Sequence, residues 1–362
     1  MRNACRVRRR LVNRSLLEIL VDPVSAERLT LEATQFDGDE ILEGILRAGG
    51  RQYPIADGIP RFVLTNDSDQ QLTASSFAYK WRQRNTYESP EMGEAASRWM
   101  CKRYGFADLE EMRMYLSRSG RILDAGCGSA FSSLLCMEHC WSDRSSCEWY
   151  GVEISEAIDV AQERVGVGPR RHFIQGDILQ LPLTPGSFDL VFCEGVLHHT
   201  PSTEAAFRCV ADMLEPGGEL LCYMYRKKGP IREFADDLVR EVLAPLGPEE
   251  AWNTLRPLTA LGRALTELDA EVEVEQDIPY LGIRAGRHDV QRLIYSHMLK
   301  LFWNPSLSFE ENNHVNFDWY SPRYAHRHTE EEVRHWCEEF HLCIEYLDTS
   351  EQSGYTLRAR KH

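Results

Sequence analysis

The chain has 362 residues and a net charge of −15, with 56 acidic residues against 41 Lys and Arg. This length suits one large domain or two modest ones, and the acidic balance argues against a nucleic-acid or anionic-membrane surface, which needs clustered cations. No apolar run approaches the roughly twenty residues that span a bilayer, and the eleven cysteines contain no C-x-x-C pair, which favours reduced thiols in a cytoplasmic protein.

The chain opens with what we interpret as a small α+β module over residues 1–65. Its arginine-rich start, Arg6 to Arg14, is short and lacks an amphipathic stripe, so we expect a solvated arm rather than a transit peptide. Residues 15–23 predict a short helix that runs into a turn, and residues 50–62 predict a strand, a turn and an exit. The polar residues 66–71 predict a linker, and a helix follows from Ser75.

A strand, a glycine turn and a helix follow one another near the middle of the chain. Ile122 and Leu123 predict the end of a buried strand, with Asp124 at its carboxyl edge. Gly126 and Gly128 then allow a tight turn and a close approach to a ligand, because neither has a Cβ atom. Helical character resumes after this turn. Alone, such a turn is a weak signal.

Four more predicted strands follow in order. The second ends in Glu153, a residue that can accept both hydroxyls of a ribose. The third ends at Asp177, which is placed to bond an exocyclic adenine amine. The fourth spans residues 188–194 and leads into His198 and His199, and the fifth spans residues 219–225 after a helix-to-strand turn. Together these strand ends predict a nucleotide-binding sheet.

The glycine turn also limits the kind of nucleotide. A dinucleotide fingerprint needs a third glycine, and Phe131 stands at that position. Asp124 would face a pyrophosphate and repel it, so a ligand with a cation or an amine is favoured. S-adenosylmethionine has no phosphate and carries a sulfonium and an ammonium group.

Five sequence elements carry a family resemblance: Asp124–Gly128, Glu153, Gly176–Asp177, Phe188–Asp189 with His198–His199, and Leu214–Gly218. They resemble class I S-adenosylmethionine-dependent methyltransferases, most of all the ubiquinone/menaquinone-biosynthesis-type branch. The resemblance covers residues 75–225 well and the C-terminal end loosely. It implies an α/β fold with a Rossmann-like seven-stranded methyltransferase sheet and flanking helices. A nucleotide-like fold that has lost its ligand is the alternative.

The resemblance also implies the cofactor and the residues that hold it. The cofactor is S-adenosyl-L-methionine, with S-adenosyl-L-homocysteine as product. The implied cofactor-binding residues are Asp124, Gly126, Cys127, Gly128, Glu153, Ile154, Asp177, Ile178 and Glu194. Tyr79 and Trp81 either cover the methionine end of the cofactor or anchor their helix to the core.

The N-terminal module resembles the zinc-ribbon-like activator subunit of tRNA, rRNA and protein methyltransferases. Two C-x-x-C pairs hold zinc in that family, and the matching positions here are Asp22, Ser25, Leu46 and Gly49. None of them supplies a thiolate or an imidazole, so we predict that the module holds no metal. We expect it to have a structural role or to form a homodimer.

Residues 226–328 predict a mainly helical insert that forms a lid over the substrate. Residues 231–268 have helical periodicity, for example Phe234, Leu238, Val242 and Leu246. Residues 290–303 predict another amphipathic helix, and residues 310–328 predict an irregular loop rich in Asn, His and aromatic side chains. Residues 329–362 predict a capped helix and a closing hairpin that complete the core.

Methyl transfer is an in-line displacement that depends on alignment and a desolvated cavity, and a base helps only if the nucleophile carries a proton of high pKa. The candidate catalytic residues are Glu194, His198, His199, His314 and His326. The candidate substrate-binding residues are Tyr223, Tyr225, Tyr295, His314, Tyr320, Tyr324 and His328. Loop packing is the alternative for the paired histidines, and we predict no metal site because His326 and His328 lack a third ligand.

These observations favour a cytoplasmic methyltransferase that acts on a small-molecule acceptor and needs neither nucleic acid nor membrane. A methyltransferase for RNA or protein is one alternative, suggested by the fused activator-like module. A catalytically silent, cofactor-binding partner protein is the other.

Overall fold

The computed structural model describes residues 14–37, 40–141, 146–350 and 352–362. The predicted arginine-rich arm therefore lies outside the described residues, apart from Arg14. The chain opens with helix α1 (Arg14–Leu17) and a four-stranded antiparallel sheet of β1 (Thr30–Asp37), β2 (Glu40–Ala48), β3 (Arg51–Ala56) and β4 (Ile59–Pro60). The sequence predicted the helix and β3 and missed β1, β2 and β4.

This N-terminal module shares its hydrophobic core with the rest of the chain. Leu46 and Tyr53 are buried in the same cluster as Leu123 of the central sheet. Backbone hydrogen bonds join the two parts, from Val21 N to Pro182 O at 3.0 Å and from Phe62 N to Gln175 O at 2.7 Å. The module and the central sheet therefore share one continuous hydrophobic core.

Asp22, one of the four positions predicted to match zinc ligands, forms an ion pair. Asp22 is fully buried and accepts hydrogen bonds from Val24 N at 2.7 Å and Ser25 N at 3.2 Å. Its other oxygen accepts from Arg51 Nε at 2.8 Å. This pair ties the turn after α1 to strand β3, and Leu46 contributes a buried apolar side chain.

Three helices precede the central sheet: α2 (Ser68–Arg82), α3 (Pro90–Tyr104) and α4 (Leu109–Leu116). Helix α2 begins inside the segment predicted as a linker, so that prediction is wrong for residues 68–71. The reason is a cap, because the Asp67 side chain accepts from the backbone N–H groups of Asp69 and Gln70.

The central sheet alternates with helices in the predicted order. The elements are β5 (Arg121–Ala125), α5 (Phe131–Cys136), β6 (Glu148–Glu153), α6 (Ala157–Val165), β7 (Arg171–Gln175), β8 (Phe188–Glu194), α7 (Thr203–Asp212) and β9 (Leu214–Tyr225). An insert follows, with α8 (Pro230–Leu243), α9 (Pro248–Glu267), β10 (Glu271–Val274), β11 (Gly286–Asp289), α10 (Val290–His297) and α11 (Phe309–Tyr320). Helix α12 (Glu330–Glu339) and strands β12 (Leu342–Asp348) and β13 (Gly354–Lys361) close the chain.

The seven strands have the order β12-β13-β9-β8-β5-β6-β7. Strands β5 to β9 run parallel, and β13 pairs antiparallel with β9. The predicted seven-stranded Rossmann-like sheet is therefore confirmed. The chain order reverses direction between β5 and β8, which places the ligand-binding crevice at the carboxyl ends of these strands. Within the described ranges, every helix is too short or too polar to cross a membrane.

The prediction of an irregular loop over residues 310–328 is wrong for residues 310–320. Residues 309–320 form helix α11, which opens with a capping box between Ser308 and Glu311, and not an irregular loop. Its asparagines are buried and hydrogen-bonded inside the insert; Asn313 Oδ1, for example, accepts from Thr259 Oγ1 at 2.7 Å. A helix that is buried on every side shows no polar and apolar stripes, so the periodicity was absent.

The apolar stripe of α8 also faces outward. Phe234 and Val242 are 70% and 57% exposed, and Leu238 is exposed too, whereas the inner face carries buried Arg232 and Asp236. Periodicity predicted the helix correctly, but it does not indicate which face is buried.

Candidate functional site

The turn after β5 requires glycine at two positions. Gly126 has φ +81°, and a Cβ atom there would lie 2.4 Å from Val196 Cγ1. Gly128 has φ +55°, and a Cβ atom there would lie 2.5 Å from Trp81 Nε1. The N–H groups of Gly126 and Cys127 donate to Val152 O at 2.8 and 3.0 Å, which fixes the turn against strand β6. The predicted strand, glycine turn and helix are confirmed.

Glu153 lies at the end of β6 and holds the turn. Its two oxygens accept from Gly128 N at 3.1 Å and from Ser155 N at 2.9 Å. The side chain is buried, and burial raises the pKa of this carboxyl group. Its neighbour Ile154 is half-buried and accepts a backbone hydrogen bond from Gln175 Nε2 at 3.2 Å.

Two further carboxyl groups follow the neighbouring strands. Asp124, at the end of β5, accepts from the Ser133 hydroxyl, and burial raises its pKa to about 7. Asp177, after β7, accepts from Gln70 Nε2 at 2.8 Å and Leu179 N at 2.9 Å, and burial raises its pKa as well. The next residue, Ile178, is buried.

These three carboxyl groups have no direct cationic partner in the described ranges; the charge of Lys80, which is paired with Asp318, acts on Glu153 from farther away. Among the described residues, Asp124, Glu153 and Asp177 form no ion pair with Lys, Arg or His. Because burying a carboxylate without a counter-charge is unfavourable, this edge of the sheet suits a ligand that brings positive charge and N–H or O–H donors. The ammonium, ribose hydroxyls and adenine amine of S-adenosylmethionine meet that requirement. The residues present therefore fit the implied cofactor.

Helix α2 covers this edge. Trp81 packs against Gly128, and its ring lies 5.1 Å from Tyr87 and 6.3 Å from Phe131. Tyr79 instead points into the insert, where its ring lies 5.8 Å from Phe317. Of the two aromatic residues predicted to cover the cofactor, only Trp81 touches the glycine turn.

Glu194 is engaged by a residue that the sequence did not reveal. Arg103 of α3 forms an ion pair with Glu194, and the Tyr104 hydroxyl donates to the same carboxylate. The guanidinium lies between the rings of Trp99 and Tyr223, 3.6 and 3.8 Å from their centroids. Both carboxylate oxygens of Glu194 are therefore engaged by side chains of α3, and its catalytic role stays a prediction. No local pattern links residues 91 positions apart.

His198 and His199 are both buried after β8. Neither ring nitrogen of His198 has a hydrogen-bond partner within the described ranges, and its ring stacks on Tyr225 at 3.7 Å. Burial lowers its pKa well below the usual value. His199 Nδ1 lies 2.6 Å from Tyr324 O, and burial lowers its pKa to about 4. Both rings are therefore neutral at pH 7. One ring nitrogen of His198 is free to accept a hydrogen bond from the molecule that receives the methyl group.

The three candidate histidines His314, His326 and His328 lie in two different places. His314 belongs to α11, where Nδ1 lies 2.8 Å from Thr86 Oγ1 and the ring lies 5.7 Å from Trp81. Burial lowers its pKa to about 3. His326 donates its backbone N–H to His198 O at 2.9 Å, and His328 Nε2 lies 2.9 Å from Thr203 Oγ1. The described residues hold no group of three or more His, Cys, Asp or Glu side chains that could bind a metal.

The predicted substrate tyrosines have different surroundings. Tyr223 and Tyr225 are buried at the end of β9, beside His198. The Tyr320 hydroxyl donates to Asp236 Oδ1 at 2.9 Å, and the Tyr324 hydroxyl donates to Asp67 Oδ2 at 2.9 Å, so both hold the fold together. Tyr295 lies beside α8, where the Arg232 guanidinium is 5.3 Å from its ring.

Comparison with known proteins agrees with this geometry. Residues 123–222, from β5 to β9, match the family described as methyltransferase domain. An uncharacterized protein of Synechococcus is 37% identical over 113 residues, which are 30% of this chain and 26% of that protein. The ubiquinone biosynthesis O-methyltransferase of Xanthomonas euvesicatoria is 33% identical over 124 residues, or 31% of this chain and 46% of the relative.

Among solved structures, the 1,6-didemethyltoxoflavin-N1-methyltransferase of Burkholderia thailandensis is similar over 91% of this chain and 99% of its own, with 12% identity and a TM-score of 0.43. That structure contains its substrate and S-adenosylhomocysteine. The chain spans less than half of the length of the curated relatives named above.

Proposed function

We propose that this chain, which carries a methyltransferase domain at residues 123–222, is an S-adenosylmethionine-dependent methyltransferase for a small-molecule acceptor, a metabolite or a natural product. The observation that carries the proposal is a set of three carboxyl groups around the glycine turn that form no ion pair among the described residues; Asp124 and Glu153 are buried and Asp177 is half-buried. Asp124, Glu153 and Asp177 end three adjacent strands, as a cofactor with an ammonium, a ribose and an adenine requires.

Each carboxyl group has a separate task in this proposal. Glu153 accepts from the ribose hydroxyls, Asp177 from the adenine amine, and Asp124 lies on the side of the methionine ammonium. The bound cofactor supplies an electrophilic methyl group. The protein aligns the acceptor and excludes water at the carboxyl ends of the strands, which is the main source of acceleration for an in-line transfer.

Three observations support a small acceptor. The helices α9 and α11 of the insert pack on α2, the helix that covers the glycine turn, so that the insert shields this side of the sheet. The net charge of −15 disfavours a polynucleotide. One relative is described as an O-methyltransferase of ubiquinone biosynthesis.

We further infer a cytoplasmic location and a structural role for the N-terminal module. The nine cysteines with described side chains are free thiols, as a reducing compartment favours. The module buries its apolar residues in the same core as the sheet, so its removal should destabilise the methyltransferase domain. Formation of a homodimer through this module stays a prediction, which measurement of the molar mass in solution tests.

The function is tested by transfer of a radiolabelled methyl group from S-adenosylmethionine to fractionated small metabolites. We expect label in one or a few fractions with the wild-type chain and a strong decrease with Glu153→Ala. The control is Glu156→Ala, which removes an exposed carboxylate three residues away. Label that appears only in RNA or protein fractions would contradict the proposed acceptor class.

A further inference from the structure

Four cationic groups surround one buried indole in the insert. The charged groups of Lys300, Arg232, Arg240 and Lys228 lie 4.2, 5.4, 5.4 and 5.7 Å from the ring centroid of Trp319. We call these four side chains the Trp319 cation cluster. Cation–π attraction stabilises one such neighbour by about 0.5–2 kcal/mol, but it does not offset the repulsion among four.

The nearby carboxylates neutralise only part of this cluster. Asp236 is fully buried and accepts from Arg232 Nε at 2.8 Å, Trp319 Nε1 at 2.8 Å and the Tyr320 hydroxyl at 2.9 Å. Arg240 pairs with Asp237, which also accepts from Arg327. Both acidic residues are therefore already engaged by the arginines.

The two lysines form no direct ion pair: the charge of Asp318 acts on Lys300, but that carboxylate is already paired with Lys80. Among the described residues, Lys228 and Lys300 form no ion pair, and the Lys300 ammonium group forms no hydrogen bond. Lys228 Nζ donates to backbone carbonyl groups, including Ser353 O at 2.8 Å. Lys300 is only 7% exposed, and burial lowers its pKa to about 7. A buried cation without a partner is costly, and such groups are concentrated at ligand sites.

The Trp319 cation cluster lies next to the carboxyl ends of β8 and β9. The Trp319 ring is 4.2 Å from the ring of Tyr225, and Tyr225 stacks on His198 at 3.7 Å. Tyr225 ends β9, and His198 follows β8. A chain of stacked rings thus connects the cation cluster to the carboxyl ends of the strands, where this class of sheet binds its ligands.

We propose that the Trp319 cation cluster binds an oxyanion, a carboxylate or a phosphate, of the acceptor molecule, with Lys300 and Lys228 as its charge partners. This inference rests on the proposed function, because it assigns the acceptor to the same edge of the sheet as the methyl donor. Charge-assisted hydrogen bonds from two ammonium groups supply the counter-charge that the fold leaves out. An anionic acceptor is bound in preference to a neutral one of the same shape.

The test uses three small aromatic probes: benzoate, phenyl phosphate and neutral benzamide. Binding to the full chain is measured by calorimetry and by tryptophan fluorescence, with and without S-adenosylhomocysteine. We expect at least one anion to bind about tenfold or more tightly than benzamide, as a charge-assisted contact implies. Preference for benzoate assigns a carboxylate, and preference for phenyl phosphate assigns a phosphate.

Variants assign the site within the chain. Lys300→Met should weaken binding of the preferred anion about tenfold, whereas Lys227→Met, which removes an exposed lysine beside the cluster, should leave it within about twofold. Lys228→Met gives the same test if Lys300→Met does not fold. Equal binding of benzamide and both anions, or unchanged anion binding in the lysine variants, would overturn the proposal.

Failure of this inference is distinguishable from failure of the proposed function. Binding of S-adenosylhomocysteine without a preference for either anion refutes the oxyanion site and leaves the methyltransferase intact. Preferential binding of an anion without binding of S-adenosylhomocysteine refutes the proposed function, and with it the acceptor role of the cluster.

Discussion

Arg103 of helix α3 forms a buried ion pair with Glu194 at the carboxyl end of strand β8. The guanidinium is completely buried, and two of its nitrogens, Nε and Nη1, have no hydrogen-bond partner within the described ranges. This contact fastens the helix that precedes the sheet to the strand end beside the paired histidines. Glu194 therefore holds Arg103 in place, and its catalytic role stays a prediction.

Removal of one partner of this ion pair should be strongly destabilising. We expect Arg103→Ala to lower the free energy of unfolding by about 3–5 kcal/mol, because Glu194 is left buried without its counter-charge. Urea denaturation measures the change. Arg98→Ala, on an exposed turn of the same helix, is the matched control and should cost less than about 1 kcal/mol. Equal losses in the free energy of unfolding would mean that the ion pair of Arg103 contributes no more to stability than the exposed pair of Arg98.

The glycine turn should not tolerate a side chain. Gly126→Ala places a Cβ atom 2.4 Å from Val196 and demands φ +81° of a residue that rarely adopts it. We expect a loss of about 1–3 kcal/mol in stability and weaker binding of S-adenosylhomocysteine. Gly93→Ala in helix α3 is the control, since its Cβ atom would meet nothing closer than 3.8 Å and alanine favours a helix. A Gly126→Ala protein with unchanged stability and affinity would show that the turn has been placed wrongly.

Burial of neutral histidine should make the fold acid-sensitive. The pKa of His314 falls to about 3 because the ring is buried, whereas an unfolded histidine titrates near 6.5. Between these values the unfolded chain binds more protons, so stability is lost as the pH falls below 6.5. At pH 5 this group alone should cost about 2 kcal/mol relative to pH 7.

Urea midpoints at pH 7 and pH 5 measure that effect. His314→Gln should lose less stability between the two pH values than the wild type. His335→Gln removes an exposed histidine and should keep the wild-type difference. If the His314 variant also keeps the full difference, the buried ring is not the source of the acid sensitivity.

The N-terminal module should contain no zinc. The four positions that we predicted to match zinc ligands carry Asp22, Ser25, Leu46 and Gly49, and Asp22 pairs with Arg51. We expect elemental analysis of the purified protein to find no stoichiometric zinc. A stoichiometric zinc that disappears when residues 1–62 are deleted would contradict this prediction.

The sequence predicted the parts of the site that are encoded locally. Asp124 and Glu153 each stand at the end of a buried strand, and glycines form the turn that follows the first of these strands. Such a pattern is contained in a few consecutive residues, so the structure has Asp124 and Glu153 at the predicted strand ends. Contacts between distant segments have no such signal. Thr86 and His314 are 228 positions apart, and Lys300 meets Trp319 because the segment before α11 folds back on that helix. The inverted face of α8 was missed for the same reason, since its buried Asp236 is satisfied by partners from α11.

The central claim is that the carboxyl ends of β5, β6 and β7 bind S-adenosylmethionine. A calorimetric titration with S-adenosylhomocysteine, using the wild type and Glu153→Ala, tests it most directly. The account predicts one site per chain in the wild type and a loss of about 1–3 kcal/mol in the variant, since charge-assisted contacts to the ribose are removed. Absence of binding to the wild type, or equal affinity in Glu153→Ala, would contradict the account.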